Sequence, residues 1–390
     1  MRVLSFAAIG LLLVMAVAAF VGLRPQPVRV PARPAPATPL AATIVIAPSD
    51  QALTFARAGK GAAAQTIVVT RYQDGVVTGV DLAPLLLPEE DAITAYNRLG
   101  YDAIAAFVAS AKASVSHEAA TLAVPVDLRA LHAAVATNYP EHADEAKVEG
   151  GPFMFAKIAQ PTSSRAAIPA SKGLLDYEVE LCLVTLSALP ANAGAKGGLI
   201  LCNDVTDRAA LLRGADINDI ASGKGFTDGK SGAGFLPVGD LFVVPRNLKA
   251  FVEPLELRLS VNGEERQRTR VTNWIWDLDR LLVETAKRGG VSWTWREGSA
   301  QLSVNKDGVL PDRTLVLAGT PAGTIFQGPG PATFVRGAFD WVAKFGHGSP
   351  IAAIVERTIT DDRASGGYLQ AGDVVTIRVD QMGMLENRVE

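Results

Sequence analysis

Cysteine and histidine are scarce in this chain of 390 residues, which contains two cysteines and four histidines. The cysteines lie far apart and do not form the closely spaced pairs that zinc sites use. A net charge of -3 gives no excess of basic residues, which argues against nucleic acid as a partner. The spacing before Lys230 does not fit a phosphate-binding loop, and Ser231 is not in a Gly-x-Ser-x-Gly elbow. The function must therefore rest on other residue types.

An apolar stretch without charge occupies residues 3–23. It is long enough to cross a bilayer core as a helix, so we predict a transmembrane anchor in residues 1–23. A cleaved secretory signal is the alternative, because Ala16-Val17-Ala18 resembles a cleavage site. Residues 24–42 are rich in proline and predict an extended linker. We therefore expect a membrane-anchored protein, or an exported one if the segment is cleaved, with the side of the membrane left open.

Two folded domains are predicted after the linker, because the chain is longer than one typical core. Residues 43–125 are assigned to a small N-terminal domain and residues 126–390 to a larger, strand-rich domain. Asp74-Gly75 and Asn262-Gly263 each follow a run of alternating or β-branched residues and predict β-hairpins. Acidic residues at 89–91 predict the start of one helix, and apolar spacing over residues 275–282 predicts another, capped by Thr272.

Two glutamates two residues apart are the most informative local feature. In a strand, Glu178 and Glu180 project from the same face, and Asp204 ends the next apolar run. Two buried carboxylates on one face require a cation, and oxygen ligands suit Mg²⁺, Mn²⁺ or Ca²⁺. An exposed strand face is the alternative. Cys182 and Cys202 lie on the same two runs and could be neighbours, for which we expect two buried thiols rather than a disulfide.

A histidine and a glutamate stand three residues apart at His142 and Glu145. On a helical turn this spacing lets the carboxylate orient and polarise the imidazole, which is a general-base arrangement. A solvated acidic turn with an incidental histidine is the alternative reading.

Taken in order, these segments resemble the fumarylacetoacetate hydrolase family, also called the acylpyruvate hydrolase family, over residues 138–389. Further motifs carry the resemblance: Phe155-Ala156-Lys157, Gly229-Lys230-Ser231 and Gly319-Thr320-Pro321. The resemblance implies an α+β, β-rich fold, a mixed β-sandwich roll with a smaller N-terminal domain, and a homodimer.

The resemblance also implies a role for each candidate residue. Mg²⁺ or Mn²⁺ would be bound by Glu178, Glu180 and Asp204. The catalytic residues would be His142 and Glu145, which activate water, and Lys230, which faces the substrate. The substrate-binding residues would be Arg208, Thr320 and Lys157. The expected reaction is hydrolysis of a C–C bond in a small dicarbonyl acid such as an acylpyruvate or a fumarylacetoacetate-like compound.

The chain departs from the family pattern at several points. Ala209 stands where members commonly have a second aspartate, Leu211 replaces a polar residue, and Pro311-Asp312-Arg313 replaces a Pro-Gly-Asp. Insertions are predicted around residues 291–308 and 324–366. Two alternatives follow: a decarboxylase or isomerase of related oxo acids that uses the same site, and a membrane-tethered binding protein that reuses the fold without catalysis.

Overall fold

A computed structural model describes residues 43–59, 64–87, 90–190, 192–295, 298–302, 304 and 307–390. The predicted membrane segment at residues 3–23 and the linker at residues 24–42 lie outside this range and stay predictions. Among the helices that the structure describes, none has both the length and the apolar character needed to cross a membrane.

Twenty strands and nine α-helices form in the described residues. The strands are β1 Ala52–Ala58, β2 Gln65–Gln73, β3 Val76–Asp81, β4 Val115–Glu118, β5 Leu131–Ala136, β6 Phe153–Ile158, β7 Leu175–Asp176, β8 Val179–Val184, β9 Leu189–Pro190, β10 Gly198–Asn203, β11 Thr206–Asp207, β12 Phe242–Pro245, β13 Glu256–Val261, β14 Glu264–Arg270, β15 Ser292–Trp295, β16 Gly298–Gln301, β17 Val309–Leu310, β18 Leu315–Leu317, β19 Val374–Val379 and β20 Gly383–Arg388. The helices are α1 Ala92–Leu99, α2 Tyr101–Ser110, α3 Pro140–Ala146, α4 Arg208–Gly214, α5 Phe226–Lys230, α6 Leu248–Val252, α7 Leu278–Lys287, α8 Pro331–Ala343 and α9 Pro350–Ser365.

The largest sheet has ten strands in the order β4-β3-β2-β1-β12-β10-β8-β18-β5-β6. It is mixed, because β18 pairs with β5 in parallel while its pairing with β8 is antiparallel. A four-stranded sheet has the order β14-β13-β19-β20. The α+β, β-rich class predicted from the sequence is confirmed. The ten-stranded sheet runs without a break from β4 of the first predicted domain to β6 of the second, and the boundary at residue 125 stays a prediction.

Both predicted hairpins form. Asp74 and Gly75 take positive φ values of 51° and 77° between β2 and β3, and Asn262 and Gly263 take 52° and 81° between β13 and β14. Asn, Asp and Gly tolerate this left-handed backbone, which matches the right-handed twist of the flanking strands. These local turn signals therefore fixed the register of both pairs.

The two predicted helices differ in detail from expectation. Asp91 caps α1 by accepting a hydrogen bond from Thr94 N, but Gly100, with φ 80°, divides the expected helix into α1 and α2. The predicted cap at Thr272 is wrong, because Asp277 caps α7 by accepting from Arg280 N. Asp277 directly precedes the first helical residue, Leu278, and can reach a free backbone N–H. Thr272 lies six residues before Leu278 and cannot.

The described residues fall into two compact units. Those of the larger unit lie within Arg33–Phe326 and Leu369–Glu390, and those of the smaller unit are Gln327–Tyr368. The smaller unit consists of the antiparallel pair α8 and α9, which occupies the predicted insertion at 324–366. The other predicted insertion, at residues 291–308, contains the antiparallel strand pair β15–β16.

Candidate metal centre

Three carboxylates meet where β8 and β10 lie side by side. Glu180 is on β8, Glu178 directly precedes that strand, and Asp204 directly follows β10. The strands are antiparallel, so the start of β8 faces the end of β10 and the three side chains converge. Each offers an oxygen within 4.8 Å of the others, and all three side chains are buried. The alternative of an exposed strand face is therefore wrong.

Three cations surround these carboxylates. Lys230 Nζ lies 2.6 Å from Glu178 Oε2 and 2.9 Å from Asp204 Oδ2. Lys157 Nζ lies 2.5 Å from Asp204 Oδ1 and also donates to the Lys230 carbonyl. Arg208 lies 2.6 Å from Glu178 Oε1 through its Nη2. The candidate metal ligands and three of the candidate functional residues thus form one buried network.

Arg208 has a second carboxylate partner that the sequence analysis did not identify. Its Nε lies 2.9 Å from Asp176 Oδ2, and Asp176 is fully buried. Asp176 also accepts hydrogen bonds from the backbone N–H groups of Ile325 and Phe326. The guanidinium of Arg208 is therefore fixed between two acids and cannot swing away from Glu178 without breaking a charged hydrogen bond.

Burial and charge divide the protonation behaviour of the carboxylates. Burial, followed by the neighbouring charges of Asp204 and Glu178, raises the pKa of Glu180 well above its usual value. Burial also acts on Asp204, but the ammonium groups of Lys157 and Lys230 outweigh it and lower the pKa of Asp204. Lys230 itself has a raised pKa, because the carboxylates of Asp204 and Glu178 outweigh the effect of burial. Glu180 is therefore the acid whose ionised form most needs a further cation.

The donor set fits a hard divalent ion. The network contains four carboxylates and three cations. The carboxylates are those of Asp176, Glu178, Glu180 and Asp204, and the cations are those of Lys157, Arg208 and Lys230. When all seven groups are ionised, the network therefore has a net charge of about -1. Three carboxylates from rigid elements and no soft ligand suit Mg²⁺ or Mn²⁺.

The His142 and Glu145 pair forms on α3 as predicted. His142 Nδ1 lies 3.3 Å from Glu145 Oε2, and the histidine is buried. The solvated-turn alternative is therefore wrong for His142. Glu145 Oε2 also accepts hydrogen bonds from Gly323 N and Thr324 Oγ1, each at 3.1 Å. Gly323 and Thr324 closely follow the Gly-Thr-Pro motif in the turn at residues 319–324. Their hydrogen bonds fix the carboxylate that orients the imidazole.

The same turn contacts Glu180, one of the three candidate metal ligands. Gly319 N donates to Glu180 Oε2 at 2.7 Å, so residues 319–324 connect the carboxylate cluster to the His142 pair. Gly319 and Gly323 have φ values of 88° and 100°. A Cβ on Gly323 would lie 2.0 Å from Arg266 O, so a side chain does not fit there. The turn is therefore shaped to present its N–H groups to two acids.

Gln267 on β14 is a residue that the sequence analysis missed. Its Oε1 accepts from Val179 N, and its Nε2 donates to Thr320 Oγ1 at 2.9 Å and to Pro321 O at 2.8 Å. Gln267 thus joins Val179, the residue between the two glutamates, to Thr320 of the turn. The Thr320 side chain is buried. In the sequence Gln267 stands among other polar residues of β14, so no sequence signal distinguishes it.

The departures at Ala209 and Leu211 lie on α4, which packs against α5. Both side chains are buried, and a Cβ on Gly229 would lie 2.5 Å from Leu211 Cβ. The two helices approach closely at Gly229, the residue before Lys230. Leu211 therefore helps to position the backbone that presents Lys230.

Cys182 and Cys202 form a disulfide, with a Cα–Cα distance of 6.2 Å. The expectation of two separate thiols is wrong. Antiparallel pairing of β8 and β10 brings Cys182 opposite Ile200 and Cys202 opposite Glu180, which places the two sulfurs on a diagonal within bonding reach. The bond links the two strands that carry the candidate metal ligands.

Two solved structures illustrate the similarity of the fold. Fumarylacetoacetate hydrolase from psychrophilic Exiguobacterium antarcticum has a TM-score of 0.53 and 20% identity, with 87% of this chain and 99% of that one covered. The 2-hydroxyhepta-2,4-diene-1,7-dioate isomerase from Mycobacterium marinum has a TM-score of 0.50 and 19% identity, with 86% and 98% covered. At these identities the likeness shows the fold alone. No curated protein sequence matches the chain.

Family membership is shown by a sequence profile. Residues 132–390 match the profile described as Fumarylacetoacetate (FAA) hydrolase C-terminal. The match covers well over half of the chain and includes all the residues of the carboxylate cluster and of the His142 pair. The chain therefore belongs to the fumarylacetoacetate hydrolase family.

Proposed function

We propose that the protein is a divalent-metal-dependent hydrolase that cleaves a C–C bond in a small dicarbonyl acid of the acylpyruvate or fumarylacetoacetate type. One observation carries the proposal. The turn at residues 319–324 donates one hydrogen bond to Glu180 of the carboxylate cluster and another to Glu145 of the His142 pair. A cation site and an oriented base thus share one rigid support, as a metal-assisted hydrolysis requires.

The charge of the network favours an anionic substrate. When all are ionised, as expected beside a divalent ion, the four carboxylates and three cations leave one excess negative charge, which the ion would change to one excess positive charge. An oxo acid bound beside the ion would bring the site back to neutrality or below. Buried charges are stable only when compensated, so this balance supports an acid rather than a neutral ketone.

Each residue has a role in the proposed reaction. Glu178, Glu180 and Asp204 would hold Mg²⁺ or Mn²⁺, with Ca²⁺ as a further candidate, and the ion would supply Lewis-acid polarisation of the oxo group. His142, oriented by Glu145, would take a proton from water. The hydroxide adds to the distal carbonyl carbon, the C–C bond breaks, and its electron pair leaves with the pyruvate part, which is then protonated at carbon.

The cationic and hydroxyl side chains would hold the acid. We assign Lys230, Arg208 and Thr320 to the substrate carboxylate or to the oxygen that develops charge, where fixed donors are worth several kcal/mol. Lys157 would act through Asp204, because its ammonium is fully buried and donates to that carboxylate and to the Lys230 carbonyl.

Product analysis tests the reaction. We expect the purified chain with Mn²⁺ or Mg²⁺ to convert an acylpyruvate into pyruvate and a carboxylic acid, observed by NMR. Glu178→Ala should abolish turnover and Glu145→Ala should lower it at least about 100-fold. Glu141→Ala is the matched control for the second variant, because Glu141 is an exposed glutamate on the same helix, and it should retain activity.

The same assay separates the alternatives. A rearranged acid without fragments would indicate an isomerase, and release of CO₂ would indicate a decarboxylase, so either product contradicts hydrolysis. Calorimetric binding of Mn²⁺ without turnover of any acid in the panel would favour the binding protein. Undiminished turnover by Glu178→Ala would contradict the metal site itself.

We also propose that the chain acts as a homodimer tethered to a membrane through residues 3–23. The disulfide supports exposure of the folded part to an oxidising compartment, since such bonds rarely persist in a reducing cytosol. Sedimentation of the purified chain tests the dimer. Protease digestion of intact cells tests the side of the membrane, and protection of the folded part would contradict export.

A further inference from the structure

The helix pair α8–α9 has an unusual distribution of polar and apolar side chains. Among the described residues, ten large hydrophobic side chains are markedly exposed, and five of them lie in this unit of 42 residues. The five are Phe334 (44% exposed), Phe339 (47%), Val342 (61%), Phe345 (93%) and Ile351 (38%). Soluble monomers rarely expose such a concentration of apolar surface without a partner for it.

Four charged side chains of the pair form ion pairs with one another. Arg336 on α8 lies 3.2 Å from Asp361 on α9, and Arg357 on α9 lies 3.0 Å from Asp361 and 3.5 Å from Asp340 on α8. The side chains of Arg336, Arg357 and Asp361 are largely shielded from solvent, whereas that of Asp340 is 37% exposed. In a water-soluble helix pair the apolar stripe faces the partner helix and the charges face water, so the polarity of this pair is reversed.

Close helix packing completes the reversed arrangement. Gly337 is buried, and a Cβ at this position would lie 2.6 Å from Ile354 Cα. Small residues at a crossing and polar contacts between helices hold helices together where no water is present to drive apolar burial. The pair can therefore remain folded while its outer surface stays apolar.

Polarity also changes along the length of the pair. The turn between the helices contains Lys344, Phe345 and His347, and residues 341–355 include no acidic residue. Trp341 Nε1 donates to Gly348 O at 3.0 Å and closes this turn. The opposite end of α9 is polar, with Glu356, Thr360 and Arg363 exposed. The apolar surface thus lies on α8 and at the turn, and the polar surface lies at the far end of α9.

We propose that the turn between α8 and α9 inserts into the interfacial region of a lipid bilayer. Phenylalanines and valine would enter the acyl boundary, and Lys344 and His347 would contact anionic headgroups. The absence of acidic residues near the turn favours a lipid surface over a basic protein partner. One insertion point binds a membrane only weakly, so the inference rests on the proposed membrane segment at residues 3–23 for the second signal that stable attachment needs.

A label at the turn tests the insertion in the full chain. The two native cysteines form a disulfide, so Phe345→Cys introduces a single reactive thiol for an environment-sensitive fluorophore. The chain is reconstituted in phosphatidylcholine vesicles that contain phosphatidylglycerol. We expect spin-labelled lipids to quench this label several-fold more than a label at Thr360→Cys, and aqueous iodide to quench it less.

The Thr360→Cys chain is the matched control, because it carries the same N-terminal segment and its label lies in the polar part of α9. Equal lipid quenching at the two positions would show tethering without insertion and would contradict the proposal. Protection of the Phe345→Cys label from iodide without lipid quenching would indicate a second copy or another protein, and also contradicts it. Failure of a labelled chain with unchanged thermal unfolding to float with the vesicles would contradict the proposed membrane segment together with the insertion, whereas equal quenching in a floating chain contradicts the insertion alone.

Discussion

Glu178 and Glu180 are two residues apart but have different surroundings. Glu178 lies between two cations, Arg208 and Lys230, whereas Glu180 accepts its hydrogen bond from the neutral Gly319 N–H. The raised pKa of Glu180, due first to burial and then to Asp204 and Glu178, follows from this difference. The two glutamates should therefore respond differently to neutralisation even if both are metal ligands.

Glutamine substitution at each position tests this difference. In the absence of metal, Glu178→Gln should lower the free energy of unfolding by about 3 kcal/mol, because it leaves buried cations undercompensated. Glu180→Gln should leave it nearly unchanged, since an amide replaces a carboxyl that is already disfavoured as an anion. We expect Mn²⁺ to raise the melting temperature of the unsubstituted chain, and both substitutions should remove this rise. Equal losses without metal, measured by urea unfolding, would contradict the assignment of charges.

Substitution of Gln267 tests the contribution of buried hydrogen bonds to stability. Gln267→Leu removes the partners of Val179 N, Thr320 Oγ1 and the Pro321 carbonyl in a buried region. Unpaired buried polar groups destabilise, so the free energy of unfolding should fall by about 1 to 3 kcal/mol or more. Arg268→Leu is the control, because the next side chain on β14 is exposed, and urea unfolding should show little change. Equal effects of the two substitutions would contradict the linking role of Gln267.

At the scale of elements, the disulfide joins β8 to β10, the two strands that meet at the carboxylate cluster. The loop it closes has a sequence separation of 20 residues, for which restriction of the unfolded chain gives about 3 kcal/mol. Cys182→Ala with Cys202→Ala should lower the free energy of unfolding by about that amount. Dithiothreitol should destabilise the unsubstituted chain similarly and leave the double variant unaffected. Two free thiols in the non-reduced, unfolded chain would contradict the bond.

Sequence reasoning succeeded where the signal was local. The turns at Asp74-Gly75 and Asn262-Gly263 depend on backbone preferences of the residues themselves, and the carboxylate cluster follows from alternation along two neighbouring strands. The contacts of Gln267 and Asp176 could not be predicted, because they join segments about 30 to 150 residues apart in sequence.

The helix pair shows a second limit of sequence reasoning. Residues 324–366 are predicted as an insertion, but the apolar spacing of α8 does not show that its apolar side chains are exposed. The ion pairs of Arg336 and Arg357 with Asp361 decide that question, and they depend on how two helices are oriented around each other. An amphipathic pattern alone would place the apolar face inside.

At the scale of the whole larger unit, one buried acid connects three distant segments. Asp240 precedes β12, its Oδ2 accepts from Tyr72 OH of β2 at 2.7 Å, and its Oδ1 accepts from Met384 N of β20 at 2.9 Å. Tyr72 and Met384 belong to the same apolar core cluster, which also includes Leu241. Arg165 is the nearby cation, and it pairs with Glu386 at 2.5 Å. The protonation of Asp240 therefore affects the stability of the unit as a whole.

The stability of the protein should consequently fall as pH rises through a defined window. Burial raises the pKa of Asp240 to about 6, against the opposing effect of hydrogen bonds from Met384 and Tyr72, whereas an unfolded aspartate titrates near 4. The folded chain thus holds its proton more tightly than the unfolded chain. The contribution of Asp240 to stability is complete below about pH 4, decreases between about pH 4 and 6, and is then constant, with a total loss of roughly 2 to 3 kcal/mol.

Two substitutions test this window, each compared with the unsubstituted chain by urea unfolding from pH 4 to pH 8. Asp240→Asn should remove the decrease, because an amide does not titrate and keeps a similar shape. Tyr72→Phe should extend the decrease to higher pH, because the phenol's hydrogen bond lowers the pKa of Asp240 and its loss lets burial raise that pKa further. A difference between Asp240→Asn and the unsubstituted chain that does not change with pH would show that Asp240 is ionised throughout, held by Arg165 rather than by its proton.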